Sequence, residues 1–153
     1  MKRSSLLASL AFAFASLSVS AHARGRGGEV DVPHVEHVRL EIAGKVVSGC
    51  ALDPSAAGGY ALLADDGRIQ ILPRSPPPRV LKAQARPVTD LPSSSLVAGL
   101  GHAELAVRDR CQALLRTQGV AALAAIGTAL DADSADARRR ALALVAALAP
   151  GQE

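Results

Sequence analysis

The sequence predicts an α+β fold: a small antiparallel β meander followed by three antiparallel HEAT-like α-helices. Three observations carry that expectation. Composition changes along the chain, from short runs broken by Gly, Pro and Asp over Glu29 to Ala85, to Ala and Leu dominance over Leu96 to Ala149. The apolar period changes with it, from two to between three and four. Between two apolar runs stands Asp66-Gly67, a hairpin signal because glycine tolerates positive φ.

The chain opens on a different pattern. Lys2 and Arg3 precede a 14-residue apolar run, Leu6 to Val19, and then the small-residue stretch Ala21-His22-Ala23. That order reads as a cleavable secretory signal over residues 1–23. The run falls short of the ~20 residues a spanning helix needs. Cleavage is expected after Ala23, with Ala21 as the alternative, and no cysteine follows closely enough to suggest a lipid anchor. The chain is therefore expected to be exported, periplasmic or secreted, with no membrane span after cleavage. Arg24 to Gly28 is glycine-rich and reads as a flexible lead-in.

Losing the signal takes away Phe12, Phe14 and Met1 and leaves Tyr60 as the only aromatic residue. It also removes two positive charges, so 17 basic residues against 14 acidic become 15 against 14. A nucleic-acid partner is not expected, since stacking aromatics and a basic face are both missing. Sugar binding commonly needs aromatic faces too.

The β unit is expected over 29–86. Val38 to Ile42 alternates apolar and polar as a half-buried strand does, and Lys45 to Leu52 is its partner across Ala43-Gly44. Tyr60 to Ala64 and Arg68 to Leu72 form a second hairpin around Asp65-Asp66-Gly67. Pro76-Pro77-Pro78 enforces an extended stretch, and Arg79 to Ala85 reads as a fifth, edge strand.

A Pro/Ser linker, 87–95, leads into a helical unit at 96–149, with Ser93 to Ser95 as candidate caps. Leu100, Ala103, Val107, Cys111, Leu114 and Gln118 make one apolar stripe, closed by Gly119 as a C′ residue. Val120, Leu123, Ile126 and Leu130 make a second. Asp133 with Asp136 suggests a capping box before the third stripe, Ala141, Leu144, Val145 and Leu148, which Pro150-Gly151 stops.

Residues 107–115 align with 137–145 at an offset of 30, the length of a two-helix repeat. Val107-Arg108 and Ala137-Arg138, with the turn Leu130-Asp131-Ala132-Asp133, resemble HEAT-like repeats of the phycobilisome-lyase type over about residues 102–149. The resemblance implies a stacking helical surface used for protein contacts and a structural, inter-helix role for Arg138. One and a half repeats need cover from elsewhere, and the apolar face of the β meander is the nearest candidate.

Candidate sites follow from chemistry and compartment. Cys50 and Cys111, in an exported chain, are expected to form a disulfide tying the halves together. His34, Glu36 and His37 are the candidate metal ligands, suited to Zn²⁺ or Cu²⁺, although strand alternation sends His37 to the other face from His34 and Glu36. Ser48-Gly49-Cys50 lacks a nucleophile-elbow frame, so no catalytic residue is assigned and no cofactor is expected. Leu123, Ile126 and Arg139 are the candidate partner contacts. The function expected is an exported, non-catalytic binding or adaptor module for another exported or envelope protein, or for a second copy of the chain. The alternatives are a small metal-binding periplasmic protein and a structural subunit of an envelope complex.

Overall fold

The computed structural model describes residues 32–53 and 59–149. The expected signal segment 1–23 and the expected lead-in 24–28 lie outside the described residues, and so does most of the loop after Asp53.

Five strands form: β1 (His34–Ile42), β2 (Lys45–Asp53), β3 (Tyr60–Ala64), β4 (Ile69–Leu72) and β5 (Arg79–Pro87). The first four make the expected meander. β1 turns into β2 through Ala43-Gly44, both at positive φ, and Gly67 at φ 81° lets the β3–β4 turn close. β5 returns to pair antiparallel with β1, giving the order β4-β3-β2-β1-β5 and leaving β5 at an edge. Period-two patterning sorts the strands into two faces. Val35, Cys50, Leu52 and Leu63 face the helices, and Val38, Leu40, Leu62 and Leu72 cluster on the other side.

A single 3-10 turn at Val88–Asp90 links the sheet to α1 (Ser93–Gly99), α2 (Leu105–Gln118), α3 (Leu123–Thr128) and α4 (Ala135–Leu148). The stripe expected to be one helix up to Gln118 is thus two. Leu100 is buried where α1 ends, whereas Ala103 is exposed in the following loop, so the spacing of three and four ran on across a break. The Pro/Ser segment is packed rather than free. Val88 and Leu91 are buried in the core, and the Gln118 amide donates to their carbonyls at 3.0 and 2.7 Å. The serines expected as caps lie inside α1's first turn, and Ser93 Oγ–H donates to Gln118 Oε1 at 2.8 Å. At α4 the cap is Ser134, whose hydroxyl accepts from the Ala137 amide. Asp136 lies two residues further on, within the first turn, and pairs with arginines instead.

The 30-residue repeat extends further than the sequence alignment suggested. α1 maps onto α3 and α2 onto α4 at that offset. Buried positions recur with it: Leu96 and Ile126, Gly99 and Ala129, Val107 and Ala137, Cys111 and Ala141, Leu114 and Leu144. So do hydrogen bonds. Arg108 Nη1 donates to the carbonyls of His102 (2.7 Å) and Ala103 (3.0 Å), and Arg138 Nη1 donates to those of Ala132 (2.5 Å) and Asp133 (3.2 Å). Each arginine therefore fastens the loop before its own helix. α2 and α4 lie side by side with their N-terminal turns together, bridged by Arg108 to Asp136 at 3.2 Å and by Arg140 to Asp109 at 2.8 Å.

One apolar cluster takes in the inner sheet face, the 3-10 turn and all four helices. The β unit therefore caps the helical pair, and burial across that seam is the main stabilising term. Within Leu105–Asp131 an 18-residue window has a mean hydropathy of 1.4, so the stretch could pass by composition for a spanning helix. It is interrupted at Gly119, where φ is 65° and the amide closes α2 onto the Leu115 and Arg116 carbonyls.

Candidate functional site: an open half-face of the sheet

The helices cover only part of the sheet's inner face. Val35, Cys50 and Leu63 lie beneath them, but further along the same side chains of opposite strands stay open. His37 and Arg39 come from β1, Val46 and Ser48 from β2, and Lys82 and Gln84 from β5; together they line a cleft of about 490 Å³. An adjoining cleft of about 490 Å³ shares His37 and Gln84 and runs towards Cys50, Arg86 and Asp90. The two make a groove along β1 and β5.

Register explains the grouping. His37 stands opposite Cys50 on one side and Gln84 on the other, and Arg39 stands opposite Ser48 and Lys82. Arg39 and Lys82 are therefore cross-strand partners of like charge, an arrangement that destabilises a sheet unless something compensates it. Among the described residues neither has an ion-pair partner.

The floor of the groove is organised by Asp65. In the β3–β4 turn, Asp66 accepts from the Arg68 amide at 3.0 Å and shapes the turn. Asp65 is left to reach across the sheet. Its carboxylate accepts from Ser48 Oγ–H at 2.5 Å and from His37 Nε2–H at 2.8 Å. Those hydrogen bonds, Ser48's first and His37's second, hold the Asp65 carboxyl below the usual carboxylate range. The carboxylate stands between hydroxyl and imidazole, so His37 is not placed to take the Ser48 proton. Burial pushes the Cys50 thiol up, with the neighbouring Arg86 guanidinium opposing it only in part, so Cys50 stays protonated.

Several expected sites are corrected by this geometry. His34 is exposed and Glu36 half-buried on the face away from His37, whose Nε2 is committed to Asp65. Among the described residues no three His, Cys, Asp or Glu side chains are grouped to hold a metal ion, and the set His34, Glu36 and His37 does not converge. The Cys50–Cys111 disulfide is not formed. Both thiols are free and buried. Cys50 lies beside His37 and Arg86 at the edge of the groove. Cys111 packs against Gly99, so closely that a Cβ on Gly99 would lie 2.3 Å from its sulfur. Burial pushes the Cys111 thiol up to about 12. Ile126, expected as a partner contact, is completely buried and belongs to the core, because α3 packs between α1 and α4, whereas Val120 and Leu130 of the same stripe are exposed. Leu123 is half-buried, and Arg139 is exposed and pairs with Asp136 in its own helix.

Sequence reasoning missed Asp65, Arg39, Lys82 and Arg86. The doubled aspartate before Gly67 was a usable signal, since one suffices for the turn. The juxtaposition of Arg39 and Lys82 depends on the β1–β5 register, which no local pattern encodes. Comparison with protein-family models, with curated proteins and with solved structures finds no match.

Proposed function

We propose that this chain is an exported, non-catalytic binding module that holds another exported or envelope polypeptide. The observation that supports this most is the open half-face of the sheet. It is a polar, partly cationic groove beside a strand edge that is unpaired among the described residues, with its hydroxyl, imidazole and thiol engaged in fixed hydrogen bonds or buried. Long grooves beside sheet edges suit extended peptide segments, which gain main-chain hydrogen bonds and alternate side-chain contacts. On this reading the helices are a pair of HEAT-like hairpins whose task is to stiffen and cover the other half of the sheet. The repetition of buried positions and arginine-to-carbonyl bonds at an offset of 30 supports that reading. Export rests on the signal pattern of residues 1–23.

Native mass spectrometry of the protein recovered from the export compartment tests the proposal. The expected species begins after Ala23, carries no metal and retains a second polypeptide. A chain recovered alone, or one whose first residue is still Met1, would count against it.

A further inference from the structure

We infer that the outer edge of β5 accepts an acidic, extended peptide segment as a sixth strand, with carboxylates of that segment settling on Lys82 and reaching towards Arg39. The inference rests on the binding-module reading and specifies its partner's chemistry.

Three features point the same way. β5 is nine residues long and pairs on one side only, with β1, among the described residues. Its residues from Arg79 to Ala85 are all exposed. A long unpaired edge presents a row of backbone N–H and C=O groups to any strand that can lie beside it. The side chains then select the strand. Lys82, Gln84 and Arg86 project from β5 into the groove, next to Arg39 on β1, while the Asp65 carboxylate is engaged by hydrogen bonds from Ser48 and His37. Asp90 is the other carboxylate lining the groove.

The directly opposed Arg39 and Lys82 supply the energetic argument. Like charges across a strand pair oppose folding, so a carboxylate on the added strand, beside Lys82 and extended over the same face towards Arg39, gains the attraction and also offsets the repulsion. A basic or neutral strand gains neither. Carboxylates on alternate residues of an added strand fall on one face, at the spacing of the groove-facing side chains.

Binding of fluorescein-labelled octapeptides to the purified mature chain, at low ionic strength, tests this. The probes are alternating Val-Glu, Val-Lys and Val-Gln sequences, and a Val-Glu peptide with N-methyl groups on alternate backbone amides. The Val-Glu peptide is expected to bind, to weaken as salt rises, and to slow amide hydrogen exchange in β5. Replacing Arg39→Gln and Lys82→Gln together should weaken it on the order of tenfold, as expected for lost charge-assisted contacts. Both side chains are exposed and mutually repelling, so this variant should fold at least as stably as the parent. Equal binding of the three unmodified peptides overturns the inference. So does unchanged affinity of the N-methylated peptide, which would show attraction by charge without strand addition, or unchanged exchange in β5. Any of these results sinks the inference even where the recovered protein keeps a companion polypeptide, so the two readings fail separately.

Discussion

Gly99→Ala places a methyl group where the core has no room for it. At this residue, the last of α1, a Cβ would lie 2.3 Å from Cys111 Sγ, 3.2 Å from Cys111 Cβ and 2.7 Å from Ile69 Cδ1. The isoleucine tip can swing aside. The cysteine sulfur is one bond from its own backbone-fixed Cβ and completely buried, so relief there requires α1 and α2 to move apart. Overpacking of this kind costs about 1–3 kcal/mol. Better helix propensity returns at most about 1 kcal/mol, and less at a terminal position. With about 0.5 kcal/mol returned at this terminal position, a net loss of ~0.5–2.5 kcal/mol follows from the difference of those terms. Cys111→Ala alone removes one buried atom, at about 1 kcal/mol by the value of a methylene-sized group. Together the two substitutions recreate the small pair that the second repeat already carries, Ala129 and Ala141. The double variant should therefore lose less than the sum of the single losses, by a coupling of about 1 kcal/mol. Urea unfolding of all four chains, with m-values checked for constancy, measures that coupling. If Gly99→Ala is as stable as the parent, or the losses simply add, then the repeat-to-repeat packing argument is wrong.

Arg108→Ala should cost ~1.5–3 kcal/mol in the same assay, because it strips charged hydrogen bonds from two carbonyls; its Nε also approaches Asp136 as an ion pair, off the line of a hydrogen bond. Arg138→Ala, at a more exposed position, should cost less, and the reverse ranking would contradict the roles assigned. Both thiols are buried and free, so alkylation of the folded protein should label neither, and in denaturant it should label both without prior reduction. A mass short by two hydrogens would contradict that. Asp65 is held below the usual carboxylate range when folded. Its contribution to stability is thus complete above the unfolded-state value and lost as pH falls through the folded one. Asp65→Asn should flatten the acid limb of a stability–pH profile, and an unaltered limb would show that the Ser48–Asp65–His37 link is not stabilising.

What could be read in advance was what short-range patterning encodes. The alternation in Val38 to Ile42 and the turn residues Ala43-Gly44 and Asp66-Gly67 specify four strands and their neighbours. Leu114, Ile126, Ala141 and Leu144 follow from helical spacing, and Gly119 from its role as a helix stop. The break between α1 and α2 was hidden, because Leu100 and Val107 keep helical spacing across a loop. Helical spacing marks Ile126 as apolar but does not say whether α1 and α4 or a partner covers it, which is why the expectation of a partner contact there fails. The disulfide was inferred from compartment alone, and the packing of Cys111 on Gly99 and the placement of Cys50 beside Arg86 left no bond between the two sulfurs. The groove escaped notice because it is a product of register: β5 returns to β1, and only then do Arg39 and Lys82 meet.

Photo-crosslinking from position 82 in the producing cells tests the central claim most directly, with position 116, an exposed arginine on α2, as the comparison. A crosslinker at 82 should join the chain to one other exported polypeptide through an acidic segment, and one at 116 should not. Adducts of equal yield from both positions, or none from 82, would contradict a binding groove on the open half of the sheet.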